Sequence, residues 1–168
     1  MRRSPSFTPL LAVCALLTPL AACVSADDKP AHNSPQRPAD SKLTTMWLAT
    51  TLPQDTDGNG YVDLFDISMY LFAEPYPIPV QQPGSLNFKL VNVQGKTLCE
   101  WNLDPAAVAA GSATLPAGPG YLFRLNLLDH ASDTLPRQQA EILGTFTSPD
   151  GSVIRQRSST FKVGRTGL

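Results

Sequence analysis

Cysteine is scarce in this chain of 168 residues, with only three, at positions 14, 23 and 99. The first two belong to the N-terminal stretch, so Cys99 has no partner for an internal disulfide in the region expected to fold. Because Cys99 alternates with Trp101 and Leu103, we expect a small buried hydrophobic residue at this position. A reactive or intermolecular thiol is the alternative.

Charge is also limited, since Asp, Glu, Lys and Arg together make up 16% of the chain. There are 13 basic and 14 acidic residues, and two of the basic ones, Arg2 and Arg3, lie in the leader described below. The other basic residues are scattered along the chain. A nucleic-acid surface needs clustered Lys and Arg, so the sequence argues against a nucleic-acid partner.

Motifs of common enzymes are absent as well. The sequence has no G-x-S-x-G, no H-E-x-x-H and no phosphate-binding glycine loop. The region expected to fold contains one histidine, His130, which follows Asp129 and precedes Asp133. Such a histidine could serve acid–base chemistry in an envelope hydrolase, but the same residues are typical of a polar loop. We therefore expect a non-enzyme, with a hydrolase using the His130 region as the alternative.

The N-terminus carries a predicted export signal over residues 1–22. Arg2 and Arg3 precede an apolar run, Leu10–Leu20, that is too short to span a bilayer as a stable helix. The run closes on L-A-A-C, ending at Cys23, and this resembles the lipobox of bacterial lipoproteins. The resemblance implies acylation of Cys23 and a lipid-anchored protein of the cell envelope. Because Val24 rather than Asp follows, it implies the outer membrane in a cell with two membranes. An ordinary secretory signal cleaved near Ala22 is the alternative.

Residues 23–42 are expected to form a lipidated, disordered tether. They include three prolines and mixed charges, with no large apolar residue beyond Val24. Such a segment cannot bury enough apolar surface to offset the entropy lost on ordering. The remaining residues, 43–168, are numerous enough for one domain with a single core.

Alternating apolar and polar residues predict that this domain consists of β-strands. The alternating segments Leu86–Leu90 and Cys99–Leu103 flank Gln94-Gly95-Lys96, which predicts a hairpin. One short helix is expected at Asp104–Gly111, where an acidic N-cap precedes a proline. Further strands are expected at 43–48, 67–72, 121–127, 142–146 and 153–163. About seven short strands favour an all-β fold, an antiparallel immunoglobulin-like β-sandwich.

One segment carries a specific chemical pattern, D-T-D-G-N-G-Y-V-D-L-F-D-I at Asp55–Ile67. Oxygen-bearing side chains stand at its first, third, fifth, ninth and twelfth positions. A hard cation such as Ca2+ needs about six to eight oxygen ligands, and these side chains with one backbone carbonyl meet that need. Gly60 is at the sixth position, where the loop must turn sharply. Val62 and Ile67 are expected to anchor the loop to the core.

The pattern resembles the EF-hand and dockerin calcium loop. Because the closing residue is Asp rather than the longer Glu, weaker binding or admission of Mg2+ is expected. A surface turn is the alternative explanation, since Asp, Asn and Gly favour turns for backbone reasons alone. The resemblance implies a calcium site over residues 55–66, with Asp55, Asp57 and Asn59 binding through side chains, Tyr61 through its carbonyl, Asp63 directly or through water, and Asp66 closing the loop.

The flanks of the loop differ from those of an EF-hand. Four threonines and Pro53 make residues 43–54 a poor helix, and the spacing after the loop is compatible with either helix or strand. We expect a loop between two strands, with the prolines at 75, 77 and 79 ending the second.

A second surface of interest lies nearby, where Tyr70, Phe72 and Tyr76 accompany these prolines. These residues could bind a protein or glycan ligand, or could simply cover an edge of the sandwich. The sequence thus predicts a calcium-binding, lipid-anchored envelope protein that serves as a non-catalytic binding or structural module.

Overall fold

The structure is a computed structural model that describes residues 41–165, and these residues form two five-stranded antiparallel sheets packed as a sandwich. The predicted antiparallel β-sandwich is confirmed. The predicted leader, Cys23 and all but the last residues of the predicted tether lie outside the described residues. The strands are β1 (Lys42–Thr50), β2 (Leu64–Glu74), β3 (Tyr76–Val80), β4 (Ser85–Asn92), β5 (Thr97–Leu103), β6 (Ser112–Leu115), β7 (Gly118–Asn126), β8 (Gln138–Thr147), β9 (Val153–Arg157) and β10 (Phe161–Val163), with the helix α1 at Pro105–Ala110.

Sheet I has the strand order β1-β2-β7-β6, and β3 also pairs with β2. One side of β2 pairs with β1 over residues 67–74, and the other side pairs first with β7 and then with β3. Because β2 is central, its inward side chains are fully buried, and Ile67, Met69 and Leu71 are each 0% exposed. The segment after the candidate calcium loop is therefore a strand, as expected.

Sheet II has the strand order β10-β8-β4-β5, and β9 also pairs with β8. The predicted hairpin joins β4 to β5, and its Gly95 has φ of 80°, which glycine adopts without steric cost. The predicted helix follows β5. Its first turn is capped by the carboxylate of Asp104, which accepts a hydrogen bond from Ala107 N at 2.8 Å.

Aromatic side chains join the two sheets across the core. Phe88 of β4 meets Phe123 of β7 edge-on with ring centroids 5.5 Å apart, and Phe65 of β2 meets Trp101 of β5 at 6.2 Å. The indole N–H of Trp101 donates to Asn126 O at 2.9 Å, so its one polar group is satisfied inside the core. Each such side chain contributes roughly 1.5–3 kcal/mol through burial.

The proline segment after β2 differs from the prediction, because Pro77 and Pro79 lie inside a strand, β3, rather than only ending one. β3 pairs with β2 through Leu71↔Val80 and Ala73↔Tyr76. The prolines fall between these paired positions, where no ladder N–H is required of them. The predicted strand at 153–163 is likewise divided, into β9 and β10.

Candidate metal centre

The predicted calcium loop lies between β1 and β2, at one end of the sandwich. Its base is closed by a short antiparallel bridge between Gln54 and Leu64. In this bridge Gln54 N donates to Leu64 O at 3.0 Å, and Asp63 N donates to Gln54 O at 2.9 Å. Residues 55–63 therefore form a closed loop whose two ends are held together by backbone hydrogen bonds.

Within the loop, successive side-chain oxygens accept hydrogen bonds from nearby backbone N–H groups. The carboxylate of Asp55 accepts from Gly58 N and from Gly60 N, both at 2.8 Å. Asp57 accepts from Asn59 N at 3.1 Å, and Asn59 Oδ1 accepts from Tyr61 N at 2.8 Å. These are Asx-type turns, and they coil the loop around its own side chains.

Gly60 occupies the sharpest part of the loop, and its φ of 87° is one that residues with a Cβ rarely adopt. A Cβ built at this position would meet no heavy atom within 4 Å. The glycine is therefore required by the backbone conformation and not by lack of space. This agrees with the turn expected at the sixth position of the loop.

Asp63 is the most deeply buried polar residue of the loop, with 0% exposure. Its Oδ1 accepts from Thr56 N at 3.0 Å, and its Oδ2 accepts from Thr56 Oγ1 at 2.5 Å. Both donors are neutral. The ion pairs found among the described residues are Lys89–Glu100, Arg124–Asp66 and Arg157–Glu141, and none of them includes Asp63. A buried carboxylate normally has a cationic or metal partner.

A second buried carboxylate reaches the loop from elsewhere in the chain. Asp133 is 4% exposed, and its Oδ2 accepts from Asn59 Nδ2 at 2.6 Å. It too has no ion-pair partner within residues 41–165. In the sequence, Asp133 belongs only to the polar loop around His130. Because 74 residues separate it from Asn59, no local spacing could have placed it at this site.

Asp66, the predicted closing ligand, lies on β2 and is not part of the closed loop. Its Oδ1 accepts from Arg124 Nε at 3.0 Å and its Oδ2 from Gln54 Nε2 at 3.2 Å. The hydrogen bond and charge of Asp66 raise the pKa of Arg124. Five of the predicted ligand residues therefore lie in the closed loop. The sixth, Asp66, forms an ion pair with Arg124 on the neighbouring strand.

The loop is also attached to both sheets of the sandwich. Leu127, directly after β7 of sheet I, donates its N–H to Asp63 O at 2.7 Å. Gly164, directly after β10 of sheet II, accepts from Val62 N at 3.3 Å. Val62 is 5% exposed and Ile67 is 0% exposed, so both predicted apolar anchors are buried. The loop therefore connects chain segments that belong to different layers of the fold.

Other sequence-predicted sites have simpler surroundings. His130 is exposed, beside the 3-10 turn Leu127–Asp129. Cys99 is 5% exposed, and burial raises the pKa of its thiol, which favours the neutral, unreactive form.

In the described part of the chain, no group of three or more His, Cys, Asp or Glu side chains is arranged to hold a metal ion. The described helix and 3-10 turn also fall short of the length and apolarity needed to cross a membrane.

The chain shows little similarity to known proteins. No protein-family model matches the chain, and no curated protein matches it. Among solved structures, the crystal structure of MtrC from Shewanella baltica OS185 matches with a TM-score of 0.38 and 15% sequence identity. The match covers 73% of this chain and 22% of that chain, so this chain spans less than a quarter of the length of that protein.

Proposed function

We propose that this chain is a lipid-anchored cell-envelope protein whose 55–66 loop binds one calcium ion, and that its β-sandwich acts as a non-catalytic binding or structural module. The observation that carries the calcium proposal is the pair of buried carboxylates, Asp63 and Asp133. Both lack an ion-pair partner among residues 41–165, and both hydrogen bond to residues of the loop. A divalent cation would supply the missing positive charge.

The donor chemistry of the loop fits a hard cation. Carboxylate, amide and carbonyl oxygens are the ligands that Ca2+ and Mg2+ prefer. A carboxylate offers about four lone-pair sites, so the hydrogen bonds that Asp55, Asp57 and Asp63 accept leave acceptor capacity for an ion. Ca2+ accepts irregular geometry and six to eight oxygens, whereas Mg2+ demands near-ideal octahedra. The mixed carboxylate, amide and carbonyl donors of this loop are compatible with calcium, and Mg2+ is the alternative that the short closing Asp admits.

The ligand set begins with the residues of the closed loop, Asp55, Asp57, Asn59 and Asp63, with the Tyr61 carbonyl. Asp66 completes the set in the EF-hand and dockerin pattern. Asp133 is a second candidate for the closing carboxylate, because it already contacts Asn59. A bound ion would fix the loop in the conformation that hydrogen bonds to Leu127 and Gly164. It would thereby stabilise the contact between the two sheets.

Calcium titration of the chain without its predicted leader, residues 24–168, tests the metal proposal. Isothermal titration of chelator-treated protein should give one site with a Kd of order 0.1–1 mM, as for extracellular calcium modules. Asp55→Ala should abolish the binding heat. Asp150→Ala is a matched control, because Asp150 also accepts hydrogen bonds in a turn, from Ser152, but lies outside the loop. Equal heats for all three proteins would contradict the proposal.

The lipid anchor rests on the L-A-A-C sequence ending at Cys23, preceded by an apolar run. Full-length protein produced in a bacterium should incorporate labelled palmitate and sediment with membranes. Cys23→Ser should lose the label, since the thiol is the acylated group. Cys99→Ser should keep it, because Cys99 is buried in the sandwich. Label retained in Cys23→Ser would show that the anchor is not at this cysteine.

A further inference from the structure

The 55–66 loop contains the one Asn-Gly pair of the sequence, Asn59-Gly60. An asparagine followed by glycine loses its side-chain amide without an enzyme when the next backbone nitrogen attacks the side-chain carbonyl carbon. Glycine permits this attack because it has no Cβ to hinder it. Side chains follow the other asparagines, which are at positions 33, 87, 92, 102 and 126. Asn59 is therefore the asparagine of this chain with the least steric protection against deamidation.

Burial does not protect Asn59 either, because the residue is exposed on the surface of the loop. Deamidation consumes one water molecule, and solvent reaches an exposed residue freely. Any protection in the folded protein must therefore come from the hydrogen bonds that hold the reacting groups in place.

The side-chain amide of Asn59 is held at both of its polar atoms. Its Nδ2 donates to Asp57 Oδ2 at 3.0 Å and to Asp133 Oδ2 at 2.6 Å. Its Oδ1 accepts from Tyr61 N at 2.8 Å. Because hydrogen bonds to carboxylates are among the stronger ones, they fix the orientation of this amide. The contact with Asp133 also attaches the amide to a buried residue outside the loop.

The attacking nitrogen is held as well. Gly60 N donates to Asp55 Oδ2 at 2.8 Å. This nitrogen must lose its proton before it can attack, and a carboxylate at hydrogen-bond distance disfavours a second negative charge beside it. The closed loop thus restrains both reactants, the amide of Asn59 and the nitrogen of Gly60.

The reaction itself exchanges one water for one ammonia. Gly60 N gives its proton to water, and its lone pair forms a bond to Asn59 Cγ. The Cγ–Nδ2 bond then breaks, and Nδ2 takes up a proton and leaves as ammonia. Water opens the resulting succinimide ring at either carbonyl carbon. Cleavage at Cγ gives aspartate, and cleavage at the backbone carbonyl carbon gives isoaspartate, in which the main chain runs through the side chain.

We propose that Asn59 is a deamidation site and that the hydrogen bonds of the closed loop hold its reaction back, with Asp133 as the restraint from outside the loop. The reacting atoms meet only when the loop opens locally, which requires these hydrogen bonds to break. No cation takes part in the reaction, so its rate in chelator is independent of the calcium proposal.

Deamidation would also break the contact between the loop and Asp133. The product replaces the donor Nδ2 of residue 59 by a carboxylate oxygen, and this oxygen would face Asp133 Oδ2 with like charge. Isoaspartate in addition inserts a methylene into the main chain, which disrupts the turn to Tyr61. The modification is irreversible, and it would release Asp133 from the loop.

Peptide mapping by mass spectrometry tests the proposal on residues 24–168 aged in chelator. In guanidinium chloride, Asn59 should deamidate faster than Asn92 and Asn126. These two are matched references, because each also accepts a hydrogen bond from the second following N–H in the folded chain but precedes a bulky residue. In native buffer the rate at Asn59 should be at least about tenfold lower than in denaturant, since the hydrogen bonds of the loop must open first.

A variant separates the restraint by Asp133 from the general effect of folding. Asp133→Ala should speed the reaction at Asn59 in native buffer about fivefold, the effect of one lost hydrogen bond. Asp150→Ala should leave the rate unchanged, because Asp150 accepts hydrogen bonds in a turn outside the loop. Circular dichroism establishes that both variants are folded. The comparison of native and denatured chain needs no substitution, so it decides the outcome even where Asp133→Ala fails to fold.

Three results would overturn the proposal. Equal rates at Asn59 in native buffer and in denaturant would show that the closed loop gives no protection. A rate at Asn59 in denaturant no higher than at Asn92 or Asn126 would show that the Asn-Gly pair is not labile. A native rate that folded Asp133→Ala leaves unchanged would show that Asp133 is not the restraint.

Discussion

At the scale of single residues, the three carboxylates around the loop have different electrostatic surroundings. Asp66 forms an ion pair with Arg124, a largely exposed residue of the neighbouring strand β7. Asp63 and Asp133 are buried and accept hydrogen bonds only from neutral groups. A positive ion in the loop would therefore stabilise Asp63 and Asp133 more than Asp66, whose charge is already compensated.

This difference predicts which carboxylate closes the proposed calcium site. Asp133→Asn should weaken calcium binding about tenfold, equivalent to about 1.4 kcal/mol, since it removes a buried negative charge that already contacts Asn59. Asp66→Asn should weaken binding less than about threefold, since Asp66 would first have to leave Arg124. Asparagine matches aspartate in size and can still accept the bond from Asn59, so both variants should remain folded. Titration calorimetry measures the two affinities under identical conditions, and a larger loss in Asp66→Asn would restore Asp66 as the closing ligand.

The candidate ligand residues of the loop could be proposed from sequence because the pattern that they form is local. Asp55, Asp57 and Asn59 recur at every second position, and Gly60 supplies the turn that they need. Asp133 could not be found in this way. Its position depends on the path of the chain after β7, which brings Asp133 to Asn59 across 74 residues of sequence, and no local pattern specifies that path.

At the scale of elements, local rules predicted several segments that carry a clear alternation, turn or cap signal, but they did not predict the short strand β6. The β4–β5 hairpin and helix α1 formed as predicted, because alternation, the Gly95 turn and the Asp104 cap all act within a few residues. β3 was missed because prolines normally end strands. It forms because only two of its residues pair with β2, and the prolines fall outside those pairs.

At the scale of the whole molecule, the 55–66 loop is a junction between the two sheets. It is continuous with β1 and β2 of sheet I, and it bonds to the segments that follow β7 and β10. These contacts are single hydrogen bonds, each contributing about 0.5–1.5 kcal/mol. A cation that fixes the loop would therefore stabilise the packing of one sheet on the other, and not only the loop.

This arrangement predicts that calcium raises the melting temperature of the whole sandwich in a single transition. With a Kd of about 0.1–1 mM, calcium at about 10 mM stabilises the folded state by about 1.4–2.7 kcal/mol, because the unfolded chain lacks the assembled ligands. For a domain of this size the shift is roughly 5–10 °C. Scanning calorimetry of residues 24–168 in chelator and in calcium measures it. Asp55→Ala should melt at the same temperature in both buffers, whereas Asp150→Ala should shift as the unchanged chain does. A calcium shift that persists in Asp55→Ala would place the stabilising ion elsewhere, and separate transitions would show that the loop does not couple the two sheets.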